Sequence, residues 1–295
     1  MCSKSKITLL FLLTFLIQSL YAARPYAVAG SFYPEDKDEL STQLRTFFKN
    51  ADDFNTKNIN AIIVPHAGYV FSGSCAAWAY KLIAEAKFAK TYVILCVDHY
   101  KRCKGVSTVM DDFETVFGVA QVDKVMVQKL VDKGLVNVVD DVKEHSLEVQ
   151  LPFLQHACMD NLQNLKILPL IVNDVSRIKD IAKEFGDDVC VIISSDLTHF
   201  GEDFNYVPFR YNIKKSVAEQ DKNAMRFISD LDSDGFLRFV ERGKITICGK
   251  KAIALGIEMF RVLDVVDVEL LSYYTSSEVM HNDSNFVSYA ALRFK

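Results

Sequence analysis

The sequence predicts an α/β fold, a single domain built on a mainly parallel or mixed central sheet flanked by helices. Three observations carry this. Strand-like and helix-like segments alternate along the chain, and several strand-like runs are apolar throughout, the pattern of strands buried on both faces. No internal repeat, low-complexity tract or Pro/Gly/Ser linker interrupts residues 24–295.

The elements follow in order. "DKDELSTQLRTFFKN" (36–50) has apolar residues at helical spacing, with Asp36 or Asp38 available as a cap. "NAIIVP" (60–65) reads as a strand stopped by Pro65, and "GSCAAWAYKLIAEAK" (73–87) as an alanine-rich helix. "TYVILCVD" (91–98) is a second buried strand. "KVMVQKLVDKG" (124–134) is a helix ended by Gly134, and "HSLEVQLPFLQHA" (145–157) is another, with Pro152 tolerable only near a turn or kink. "LKILPLIV" (165–172) is a strand, "VSRIKDIAKEFG" (175–186) a helix and "VCVIISS" (189–195) a strand. Helices are expected over 212–229, 233–242 and 250–263. Two further strands, 268–276 and 286–294, are placed to extend the sheet antiparallel.

Composition narrows the function classes. The 34 basic and 38 acidic residues are mixed, and no block of like charge forms a basic patch, which argues against a nucleic-acid partner. Residues 1–23 have the layout of a secretory signal peptide: Lys4 and Lys6, an apolar run from Ile7 to Ile17, then Ala22 and Ala23. The run is shorter than the about 20 apolar residues of a spanning helix. Leu20 and Tyr21 spoil a clean cleavage motif, which leaves an uncleaved anchor as the alternative. The expectation is therefore an exported protein whose mature domain begins near Arg24, with no membrane contact beyond the leader. Cys75, Cys96, Cys103, Cys158, Cys190 and Cys248 lie inside apolar or helical patterns without any C-x-x-C pair, so mostly free thiols are expected.

In an open α/β sheet, ligands bind beyond the carboxyl ends of the strands. His66 follows "AIIVP", His99 follows "YVILCVD", Asp196 and His199 follow "VCVIISS", and Cys248 follows the apolar run "ITIC" (245–248) just before Gly249 and a helix. Five reactive side chains thus fall at expected strand-to-helix transitions, with His145 at a helix start beside Glu144. Imidazole, thiolate and carboxylate together suggest a metal or redox centre. Each residue also has a structural alternative: a hydrogen-bonded strand-end histidine for His66 or His99, a small buried hydrophobe for Cys248, a loop cap for Asp196, and a helix-surface pair for His145 with Glu148. No close metal-ligand spacing such as H-E-x-x-H decides between them.

Six segments carry a family resemblance: "AGSFYP" (29–34), "PHAGYVFSGSCAAWAY" (65–80), "EHSLEVQLPF" (144–153), "SSDLTHFG" (194–201), "TICGKKAI" (246–253) and "VSYAA" (287–291). In order and spacing they resemble the Memo family, also called AmmeMemoRadiSam system protein B, over 24–295. That family is similar in fold to class III extradiol dioxygenases, whose iron is held by two histidines and a glutamate. The resemblance implies a metal at His66 and His99, with Cys248 in place of the glutamate, and iron or copper before zinc. It further implies that Asp196, His199 and His145 line the same pocket as candidate catalytic groups.

Two departures stand out. The family's "GPSHH" is "CVDHY" here, so Tyr100 replaces the second histidine and Asp98 puts a carboxylate beside His99, with an expected effect on metal preference. A proline common after the family's Cys-Gly is Ala252. Thiolate in place of carboxylate favours softer ions such as Cu(I), so an oxidase or copper-handling role is expected before ring cleavage. A metal-free binding module for a peptide or small anionic ligand, and a zinc hydrolase, remain as alternatives.

Overall fold

Apolar β-branched runs and the helices between them build a mixed sheet in a computed structural model that describes residues 23–140, 143–186, 188–265 and 267–295. Residues 1–22 of the expected leader lie outside this range. The strands are β1 (Ala61–Val64), β2 (Thr91–Cys96), β3 (Val106–Thr108), β4 (Phe113–Thr115), β5 (Gly118–Val122), β6 (Asn137–Val138), β7 (Lys166–Val172), β8 (Val189–Ser194), β9 (His199–Phe200), β10 (Val268–Thr275) and β11 (Phe286–Phe294). The main order is β10-β11-β1-β8-β2-β7-β3-β6, with β5 pairing β7 and β4, and β9 pairing β11.

The centre is parallel: β1 with β8, β8 with β2, and β2 with β7. As the sequence predicted, the last two strands extend it antiparallel, β11 against β1 and β10 against β11. Every residue of β1, β2 and β8 is buried, which requires cover on both faces.

The helices are α1 (Lys37–Asn50), α2 (Tyr69–Glu85), α3 (Lys124–Asp132), α4 (His145–Glu148), α5 (Gln150–Ala157), α6 (Ile178–Ala182), α7 (Ile213–Ser229), α8 (Ser233–Arg242), α9 (Lys250–Val262) and α10 (Ser277–Met280). Helix α2 packs on β1, β10 and β11, and α9 on β2, β7 and β8. Gly256 lets α9 sit close: a Cβ there would fall 2.1 Å from Cδ1 of Ile193 on β8. Of the two candidate caps for α1 it is Asp36 that serves, accepting from the amides of Asp38 and Glu39. Among the described residues, no helix is long and apolar enough to cross a membrane.

Several expectations are corrected. The 145–157 helix breaks at Val149 into α4 and α5, which leaves Pro152 in the first turn of α5, where its missing N–H costs nothing. The 175–186 helix shrinks to five residues: Asp174 takes the Ser176 amide in a local turn before it, and the chain passes into i to i+3 turns at Glu184 and Phe185 after it. The short strands β3 to β6 were not foreseen, since runs of two to five residues give little periodicity. Most relevant to function, "ITIC" is not a strand. Thr246 instead spends its hydroxyl on His199, accepting from its amide at 2.9 Å and donating to its carbonyl at 2.6 Å.

Candidate metal centre

The strand ends bring three of the expected residues together. Ligand-capable atoms of His66, His99 and Cys248 lie within 4.8 Å of one another, and so do those of Asp196, His199 and Cys248. His66 lies two residues past β1 and His99 three past β2. Asp196 lies two past β8, and Cys248 immediately before the Gly249 cap of α9. All but Cys248 therefore occupy the positions that the strand pattern predicts.

His66 is buried, and its tautomer follows from its neighbours. Its Nδ1 is 2.8 Å from Ser194 Oγ. That hydroxyl gives its single proton to the Ser146 carbonyl at 2.6 Å and accepts from Gln150 Nε2 at 2.9 Å. Only a donating Nδ1–H completes the set, so Nε2 carries the lone pair. Nε2 faces Cys248 Sγ at 3.1 Å, and the His66 amide donates to Asp196 at 2.8 Å. Burial, followed by the neighbouring imidazoles of His99 and His145, holds His66 well below the usual histidine range.

His99 is fixed in the same sense. Its Nδ1 is 2.7 Å from Glu144 Oε1, and its amide donates to Oε2 at 2.9 Å. A carboxylate on Nδ1 leaves Nε2 as the ligand atom, the arrangement found behind metal-bound histidines. Burial would raise the Glu144 carboxyl, but hydrogen bonds and charge from His99, with further bonds from Ser146, bring it down to about 2. Sequence reasoning noted Glu144 only as a neighbour of His145 and missed its role, along with those of Ser194 and Gln150. The signal available was the segment "EHSLEVQ" itself.

Cys248 Sγ accepts from the Asp196 amide at 3.3 Å. Burial and the Asp196 carboxylate push its thiol up, so without a cation it keeps its proton. A cation shared with the two imidazoles is the partner that would replace that proton. The separation of 3.1 Å between Sγ and Nε2 is within what two ligands of one ion require, given bonds of roughly 2.0–2.3 Å. Two imidazole nitrogens with lone pairs and one sulfur thus fit a soft or borderline transition metal.

The second set also converges. His199 Nδ1 lies 3.1 Å from the Leu197 carbonyl and 3.0 Å from that of Thr246, both of which can only accept, so its Nε2 is free as well. Asp196 is buried, which raises its carboxyl above the usual range. His145 stacks on His99 with ring centroids 4.3 Å apart, and burial lowers it. It does not pair with Glu148, which is buried and accepts from the amides of Ala27 and Val28 and from Tyr33. Asp98 is also turned away from the centre. Its oxygens take the amides of Arg102 and Cys103 and the Asn173 side chain, so a carboxylate contribution to metal preference is not supported. Tyr100 is half-exposed, and Ala252 is buried in the first turn of α9.

The centre opens into a cavity of about 460 Å³. Its lining includes His66, His99, His145, His199 and Asp196, apolar residues such as Phe32, Phe71 and Phe286, and the polar Asp203, Ser276, Asn282 and Asn285. Among the described residues there are six free cysteines, and five of them, Cys75, Cys96, Cys103, Cys158 and Cys190, are buried elsewhere as packing groups.

The chain matches the family model described as Memo-like protein over residues 24–293. It is similar to a MEMO1 family protein of Pyrococcus furiosus, 33% identical over 91% of this chain and 98% of that one. Relatives in Pyrococcus abyssi and Thermococcus kodakarensis are each 34% identical, over 90% and 91% of this chain and 97% and 98% of theirs. An uncharacterized protein of Escherichia coli K12 has a solved structure similar at a TM-score of 0.49 and 11% identity, over 81% of this chain and 100% of that one, a likeness too slight to bear on function. The six segments, the strand-end site and a match over nearly the whole described chain agree: this chain belongs to the Memo family.

Proposed function

We propose that His66, His99 and Cys248 hold a redox-active iron or copper ion and that the protein is a metal-dependent oxidoreductase or copper-handling protein. The observation that carries this reading is the pairing behind the two imidazoles. Ser194 and Glu144 occupy both Nδ1 atoms, which leaves both Nε2 atoms for a ligand, and ligand-capable atoms of His66, His99 and Cys248 lie within 4.8 Å of one another. When bound, such an ion would supply one-electron chemistry and open coordination positions.

The chain's own residues would do the rest. Asp196, with its raised carboxyl, is suited to hold a proton at the cavity wall, and His199 Nε2 to accept one. His145, kept neutral by burial, stacks on His99 and faces the cavity as a hydrogen-bond partner. Phe32 and Phe71 would give the cavity apolar wall against which a substrate could pack. Zinc fits the same donors and would point to hydrolysis of a bound substrate, so metal identity separates the two chemistries.

Anaerobically purified protein is expected to carry stoichiometric iron or copper. The His66→Ala, His99→Ala, Cys248→Ser triple variant is expected to carry none, and equal metal in both would overturn the reading. The cavity supports a second reading, a metal-free pocket for a small molecule or peptide. Calorimetry in chelator distinguishes it: undiminished ligand binding favours the pocket alone. Export, proposed from residues 1–23, would put the centre in an oxidising compartment where copper is the favoured ion.

A further inference from the structure

We infer that Asp98, Asn173 and Lys251 form a strut that sets the distance between His99 and Cys248, an inference that rests on the metal-centre reading. The two residues arrive from different parts of the fold. His99 sits on the loop after β2, while Cys248 precedes α9, and among the described contacts no hydrogen bond joins them directly.

Asn173, the residue after β7, stands between them. Its Nδ2 donates to the Cys103 carbonyl at 2.8 Å and to Asp98 Oδ2 at 3.2 Å, and its own amide donates to the Gly105 carbonyl at 2.9 Å. Asp98 in turn accepts from Arg102 N at 3.0 Å and Cys103 N at 2.9 Å, which closes the His99 loop on itself. From the other side, Lys251 on the first turn of α9 donates its Nζ to the Asn173 carbonyl at 2.5 Å and to Oδ1 at 3.2 Å. The loop after β2, the end of β7 and the start of α9 are thereby tied at one asparagine.

The strut gives Asp98 a role: its carboxylate, bonded to the amides of Arg102 and Cys103 and to Asn173, restrains the loop that carries His99. Glu144 holds the His99 ring itself, but nothing on Glu144 reaches α9; the strut supplies that second coordinate. Asp98, Asn173 and Lys251 are thus positioning residues. None of them contributes a ligand atom to the clusters at the centre.

The test uses Co(II) added anaerobically to the metal-stripped full chain, read by its thiolate-to-metal charge transfer and its visible d–d bands. Wild type is expected to show both. Lys251→Met, which keeps the stem but loses the donor, is expected to bind Co(II) about tenfold more weakly, with shifted d–d bands and an unchanged melting temperature. Lys251→Arg is expected to recover most of the affinity, and Asn173→Ala to match Lys251→Met. Wild-type affinity and spectrum in both Lys251→Met and Asn173→Ala would overturn the strut while leaving the centre intact. Wild type without the thiolate band would overturn the centre, and the strut with it.

Discussion

The Nδ1 of His66 lies 2.8 Å from Ser194 Oγ, and the serine's proton is committed to the Ser146 carbonyl. A side chain with no charge therefore decides which imidazole nitrogen is left for a ligand. Ser194→Ala removes that decision and leaves Nδ1–H buried without a partner, at a cost of roughly 1–3 kcal/mol. Metal affinity is expected to fall about 10–100-fold, as for other residues behind a ligand. Metal titration beside a thermal melt checks both; a stability loss with full affinity would show that the tautomer is set elsewhere.

Glu144 plays the same part for His99 with a full charge. Glu144→Gln keeps the shape but lets the amide present either an oxygen or an NH₂ to Nδ1. The expected result is metal binding weakened about tenfold or more. The His99 and Ser146 amides donate to different carboxylate oxygens, so the single Gln oxygen can serve one but not the other, and a modest loss of stability is expected beside the loss of metal. Metal retained per chain after dialysis measures it.

Gly249 is a steric prediction. A Cβ there would fall 2.4 Å from Cβ and 2.5 Å from Oγ of Ser195, and 2.9 Å from the Ser194 carbonyl. Because those atoms belong to the strand end that also carries Asp196, Gly249→Ala must push Cys248 and α9 outward. We expect loss of the Co(II) thiolate band with the rest of the fold preserved, read by absorption and circular dichroism.

Glu148 ties residues 24–33 to the site from the other side. It accepts from Ala27 N at 2.8 Å, Val28 N at 2.8 Å and Tyr33 Oη at 3.0 Å, with the Arg24 guanidinium 3.6 Å away. Phe32 in that segment packs on His145 with centroids 4.8 Å apart. Glu148→Gln is expected to cost roughly 1.5–3 kcal/mol and to raise amide exchange in 24–33 before the rest of the chain. Exchange mass spectrometry resolves the two regions.

Stability without metal should depend on pH in a defined sense. Burial holds His66 and His145 below the ordinary value of 6.5, so the unfolded chain binds protons more readily than the folded one. Stability is then complete above pH 6.5 and declines as the pH falls below it, by up to about 1.4 kcal/mol per pH unit for each imidazole. Asp196, raised by burial, works in the opposite direction but is one group against two. Below the ordinary 4.5, Glu144 adds its own decline toward about 2. Melting temperatures of chelated protein from pH 8 to pH 5 check the slope; a flat profile would contradict it.

The sequence by itself determined the layered α/β fold, because continuous runs such as "AIIV" and "VCVIIS" can only be satisfied by burial on both faces. It also determined where His66, His99, Asp196 and His199 would stand, since strand ends in such a sheet share an edge. What it could not determine was which groups sit behind the ligands. Ser194, Gln150 and Glu144 face the centre through bonds spanning 44 to 128 residues of chain, and no local pattern encodes such a pairing. Cys248 shows the same division. Its place before a helix was legible, but the run leading to it is no strand; it is held by Thr246 against His199, and only tertiary structure decides such a contact. Asp98 is the converse case. Chain adjacency put it beside a ligand, and the loop's own amides turned it away.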